Sequence, residues 1–166
     1  MNMRTENWCG YDIRFVEIKG EWWAILKDIC DALGLRTKDV SQRLHPDMLK
    51  RVAVEVSEDD SNDLRSPGDN KTRWMLAVNE LGIYEALFAS RRLEARKFRM
   101  WAGTVMQKLR SSVGLKGYEV MRMTEPEVQE DIDHILDSLY WDEATGKLMQ
   151  SVTVQGGDVE QVEFEG

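Results

Sequence analysis

A change of hydrophobic period along the chain restricts its fold more than any other feature. Apolar side chains recur at every second residue in Ile13-Arg14-Phe15-Val16-Glu17-Ile18, the alternation of a half-buried strand. Lys19-Gly20-Glu21 turns the chain and Trp22-Trp23-Ala24-Ile25 runs back, which predicts a β-hairpin. The period then lengthens. Ile29 and Leu33 stand four apart in a short helix, and Gly34 follows where the residue closing a helix takes a left-handed conformation. Thr37 can cap a second short helix with Val40 and Leu44 on one face, ended by His45-Pro46 because the residue before a proline avoids the α region. Joined by Gly34-Leu35-Arg36, the two helices match a helix-turn-helix only in outline.

Period two returns in Arg51-Val52-Ala53-Val54-Glu55-Val56, a strand, and Thr72-Arg73-Trp74-Met75-Leu76-Ala77 is apolar enough to pair with it. The acidic, turn-rich stretch from Ser57 to Lys71 between them predicts a long, mobile hairpin loop. Asn79 caps a helix carrying Leu81, Tyr84, Leu87 and Phe88, which ends near Ser90. A longer helix from Leu93 to Arg110 sets Phe98, Trp101, Val105 and Leu109 on one stripe and basic residues on its other faces. Thr124-Glu125-Pro126-Glu127 fits a capping box for an acidic helix over 125–139, a closing hairpin follows over 140–154, and Gly156-Gly157 begins a frayed end. The fold class expected is α+β: small antiparallel β-hairpins packed with several short helices, then a C-terminal acidic helix and hairpin. Residues 1–117 are expected to form one domain and 118–166 an acidic extension.

Charge divides the chain the same way. Residues 1–118 hold 20 Lys/Arg against 17 Asp/Glu, while residues 119–166 hold 2 against 13. Such asymmetry marks either a basic surface for a polyanion beside an acidic partner segment, or a merely solvated tail. No apolar run is long enough to cross a bilayer, and residues 1–10 lack the apolar core of a secretory signal, so a cytoplasmic location is expected. Cys9 and Cys30 form no motif with each other, and Cys30 reads as core packing. Catalysis finds no residues: His45 abuts Pro46, His134 sits among acids, and Glu58-Asp59-Asp60-Asn62-Asp63 lacks the Gly and terminal Glu of a calcium loop. No enzyme activity, metal or cofactor is expected.

Two blocks of sequence point to a family. Lys19-Gly20-Glu21-Trp22-Trp23-Ala24-Ile25-Leu26-Lys27-Asp28-Ile29-Cys30-Asp31-Ala32-Leu33-Gly34-Leu35 resembles the opening of the Bro-N domain, which runs Gly-Glu-Pro-Trp-Phe-Val-Ala-Lys-Asp-Val-Cys and then Leu-Gly. Val78-Asn79-Glu80-Leu81-Gly82-Ile83-Tyr84, continuing through Ser90 and Glu94-Ala95-Arg96-Lys97-Phe98 to Trp101, resembles that domain's Asn-Glu-Ser-Gly-Leu-Tyr … Ser … Pro-Glu-Ala-Lys-x-Phe-x-x-Trp. The likeness spans about residues 11–110. It departs at Trp22 and Leu93, where the family has proline, and at Val105-Met106-Gln107, which replaces Val-Leu-Pro one residue early. The resemblance implies an α+β domain of phage antirepressors and of related proteins of large DNA viruses, in a bacterial host's cytoplasm if the phage branch applies.

Residues 91–116 contain eight Lys/Arg and one acid, Glu94, the pattern of a phosphate-backbone contact or of the solvated back of a core helix. Under the first alternative Arg91, Arg92, Arg96, Lys97 and Arg99 neutralise phosphates of double-stranded DNA, Lys38 and Arg43 are candidates for groove contacts, and Lys27 is a phosphate contact or solvated. Asn79 and Asp28 read as helix-terminal residues. The antirepressor likeness implies a second alternative, in which the chain binds a phage repressor protein, or a host factor, without touching DNA. Whether the acidic tail masks the basic helix stays open. Self-association through Trp22, Trp23 or Trp141 is also expected as a homo-oligomer contact.

Overall fold

The computed structural model describes residues 2–55 and 72–164. The expected loop over 57–71 and its acidic cluster lie outside the described residues, as does Val56. The chain divides into two compact units, Met1–Arg99 and Met100–Gly166.

The first unit is built on a five-stranded antiparallel sheet in the order β1-β2-β3-β5-β4. β1 (Met3–Trp8), β2 (Tyr11–Ile18) and β3 (Glu21–Ile25) form a meander, while β4 (Leu49–Glu55) and β5 (Thr72–Val78) pair with each other and β5 joins β3. Between β3 and β4 lie α1 (Leu26–Leu33) and α2 (Thr37–Arg43), and α3 (Glu80–Ala89) follows β5. The long α4 (Leu93–Ser112) runs on through the boundary between the units.

β1 was not foreseen. Its residues are mostly polar, and only the reversal at Cys9-Gly10, both at positive φ, marks it, because a two-residue hairpin turn needs left-handed backbone. Alternation along the strands sends side chains to two clusters. Ile13, Ala24 and Val78 pack with Leu26, Ile29, Cys30, Val40 and Leu44 on the helix-covered face. Val16, Trp23, Ile25, Val52, Val54 and Ala77 form the other. Trp23, Ala24 and Ile25 are therefore buried in succession, as in a strand enclosed on both faces. This removes Trp23 from the candidate self-association residues, whereas Trp22 remains exposed.

Helix ends follow the sequence at Gly34, before His45-Pro46, at Asn79 and at Ser90, and depart from it at Thr37 and Thr124. Gly34 closes α1 at φ 67, and the Asn79 side-chain oxygen accepts the Gly82 N–H at 3.0 Å. Thr37, expected as a cap, is instead the first residue of α2, with Arg36 in the cap position and no side-chain cap bond. Burial, helped by nearby Asp31 and opposed by Thr37, raises the Cys30 pKa. Cys9 is exposed. A thiol reagent should thus modify Cys9 alone in the native protein and both cysteines after denaturation, a difference that mass spectrometry reads directly.

The second unit contains the rest of α4, a 3-10 segment (Gly117–Thr124), α5 (Pro126–Asp137) and a three-stranded antiparallel sheet, β6 (Leu139–Asp142), β7 (Lys147–Thr153) and β8 (Val159–Glu163). Leu115, Val128 and Ile132 are its buried cluster, with Leu109, Val113 and Met123 against them. The capping box does not form, since Thr124 donates its hydroxyl to the Met121 carbonyl and α5 starts from Glu125 without a side-chain cap. The expected frayed end is also revised: after Gly156-Gly157 the chain returns as β8 and pairs with β7. Of the stripe expected on α4, Leu109 packs, but Trp101 stays 63% exposed.

Candidate nucleic-acid interface

The basic residues are carried by an elbow between α3 and α4, and one hydroxyl fixes it. Ser90, buried at the end of α3, donates its hydroxyl to the Leu33 carbonyl at 2.7 Å, filling an acceptor that the end of α1 leaves open. The same oxygen accepts the Arg92 N–H at 3.2 Å. Ser90→Ala leaves the Leu33 carbonyl and the Arg92 N–H without this partner in a dry site, and should cost about 2 kcal/mol, measured by urea denaturation.

Two of the predicted site arginines turn back onto this elbow. Arg99 donates from one guanidinium nitrogen to the Leu87 carbonyl at 3.0 Å and to the Ser90 carbonyl, so it caps the negative end of α3. Arg92 lies over the Tyr11 ring, 5.6 Å from its centroid, and donates to the Tyr11 hydroxyl at 3.2 Å. Gly34 leaves it room, because a Cβ there would come within 3.2 Å of the Arg92 Nε. Lys27 pairs with Asp31 at 3.0 Å across one turn of α1. These three are engaged within the chain.

The other five predicted residues, Lys38, Arg43, Arg91, Arg96 and Lys97, are exposed, and no carboxylate of the described residues makes an ion pair with them. Arg43 and Ala89 line one cleft, which brings the last turn of α2 beside the elbow that carries Arg91. The cleft holds about 160 Å³ over an apolar floor of Leu35, Val40, Leu44, Ala86 and Ala89, with Arg36, Asp39 and Glu85 at its rim. Next to it α3 exposes Leu81 and Phe88; Tyr84 stacks on Phe98 at 6.1 Å between ring centroids, and Phe88 meets the same ring tilted at 6.0 Å. The Tyr84 hydroxyl donates to Glu80, which raises its pKa because the bond favours the neutral phenol.

Sequence reasoning missed one polar contact near this surface. Arg14 of β2 grips Asp28 of α1 through its backbone N–H at 3.0 Å, Nε at 2.8 Å and Nη2 at 2.9 Å. Asp28 was expected as a first-turn anion and is one, but its partner comes from a strand and no local pattern announces it. Among the described residues no group of His, Cys, Asp and Glu is arranged to hold a metal, and no helix is long and apolar enough to cross a membrane.

The arrangement suits a polyanion through its fixed backbone and outward cations, although Asp39, Glu85 and Glu94 lie among them. The family model Bro-N, described as the BRO family N-terminal domain, matches residues 12–107, a span that includes all eight predicted site residues. No curated protein and no solved structure matches the chain.

Proposed function

Because the chain belongs to the Bro-N family, we propose that it is a regulatory protein of the phage and viral type that binds double-stranded DNA through the α2 end and the α3–α4 elbow. One observation carries this reading: Lys38, Arg43, Arg91, Arg96 and Lys97 are solvent-facing and unneutralised within the matched segment. Each cation that meets a phosphate releases a counterion, so affinity must fall with salt. Arg92 and Arg99 hold the elbow in shape and contribute less directly.

A duplex titration across salt concentrations tests the reading. Five phosphate contacts give a slope of log K against log salt of about −4.5, and Lys97→Ala should reduce it by about 1 while weakening all duplexes alike. A slope near zero, or one that Lys97→Ala leaves unchanged, would sink the proposal.

The cleft between α2 and α3 favours a second reading, that of an antirepressor. Its apolar floor takes one aliphatic side chain, and its rim carries both signs of charge, as protein contacts do. In that case the chain captures a phage repressor, or a host factor, and is indifferent to duplex. The same titration with a labelled repressor in place of DNA separates the two.

A further inference from the structure

We propose that β1 is a self-association edge, and that its occupant is the β1 of a second copy, paired antiparallel about a two-fold axis at Thr5. The proposal is independent of the DNA reading. β1 is an outer strand of the sheet and all of it but Trp8 is exposed. An edge of this kind leaves a row of N–H and C=O groups open to another chain.

Which groups are open follows from the ladder. The Glu17 N–H donates to the Asn2 carbonyl at 2.9 Å, and Trp8 faces Tyr11 across the two-residue turn. Bonded pairs alternate in an antiparallel ladder, so Asn2, Arg4, Glu6 and Trp8 turn their backbone groups to β2. Met3, Thr5 and Asn7 turn theirs outward. A second β1 can bond only through the same three residues, which restricts the position of the axis.

Charge then selects among the positions left. An axis at Arg4 sets it opposite the partner's Arg4, and an axis at Glu6 sets it opposite the partner's Glu6; like charges directly opposed are unfavourable. An axis at Met3 or Asn7 leaves much of the strand unpaired. The axis at Thr5 places Arg4 opposite the partner's Glu6 and Glu6 opposite the partner's Arg4. Thr5 bonds its own symmetry mate, and Met3 bonds the partner's Asn7. Both charge pairs then fall at non-bonded positions, where facing side chains approach most closely. Within one copy Arg4 and Glu6 pair with each other on the surface, so the dimer exchanges a local pair for two intermolecular ones. A guard against edge pairing works by repelling its own copy, and alternating signs at this spacing do the opposite.

Sedimentation velocity over a wide concentration range, without DNA, tests this. Wild type should show a reversible dimer. Arg4→Glu and Glu6→Arg should each weaken it at least about tenfold, with unchanged circular dichroism. An equimolar mixture of the two variants should restore a dimer, since an all-acidic strand then faces an all-basic one. A monomer at every concentration overturns the proposal, as do single variants that dimerise like wild type. Loss of the dimer in Arg51→Glu on the opposite edge strand β4, with Arg4→Glu unaffected, overturns it as well.

Discussion

Asp28→Ala should lower the stability of the first unit by about 3 kcal/mol, seen as a lower urea midpoint at unchanged slope. Asp28 accepts three hydrogen bonds from Arg14, and the two side chains are only 9% and 16% exposed. Removing the carboxylate leaves a guanidinium in a site too dry to hydrate it well, which costs more than the pair itself gains. The residual exposure of Arg14 places the loss at the lower end of the range for buried pairs. The double variant Arg14→Leu, Asp28→Leu should recover much of it, because the cost lies in a half-dry guanidinium that has lost its carboxylate. A single-variant loss under about 1 kcal/mol would mean that water screens the pair as it does at a surface.

Gly82→Ala should be of similar size, about 2 to 3 kcal/mol, for a steric reason. A Cβ on Gly82 would stand 2.3 Å from Cγ2 of Val78, with Leu44 Cδ1 at 3.5 Å behind. Val78 is fully buried and paired with Ala24 of β3, so it has nowhere to retreat. α3 must shift instead, and with it Ser90 and the elbow. Gly103→Ala on α4 is the control: nothing lies within 4 Å of its Cβ, and alanine there should be neutral or stabilising by up to about 1 kcal/mol. Equal losses at both positions would refute the packing account.

Local chemistry was legible and long-range chemistry was not. The β2–β3 hairpin, the Gly34 stop and the Asn79 cap each follow from a few neighbouring residues. β1 escaped because an edge strand needs no apolar stripe, and β8 because its pattern is diluted by acids. Thr37 and Thr124 have the residue type of a cap, yet Thr37 falls one residue inside α2 and Thr124 donates to a preceding carbonyl. The site shows the same division. Eight cations could be named from composition and spacing. That Arg92 and Arg99 bend inward to Tyr11 and to the α3 carbonyls depends on the elbow, which only the folded chain displays.

The bond from Ser90 to Leu33 joins residues 57 apart, and β3 meets β5, Ala24 beside Val78, across a similar stretch of chain. Closing so wide a loop costs entropy before any contact repays it, so these junctions form late. The three-strand meander, made of near neighbours, can form first and wait. A nascent chain therefore presents an ordered meander before it presents the elbow, and acquires the ability to recognise anything there only once these distant segments have met.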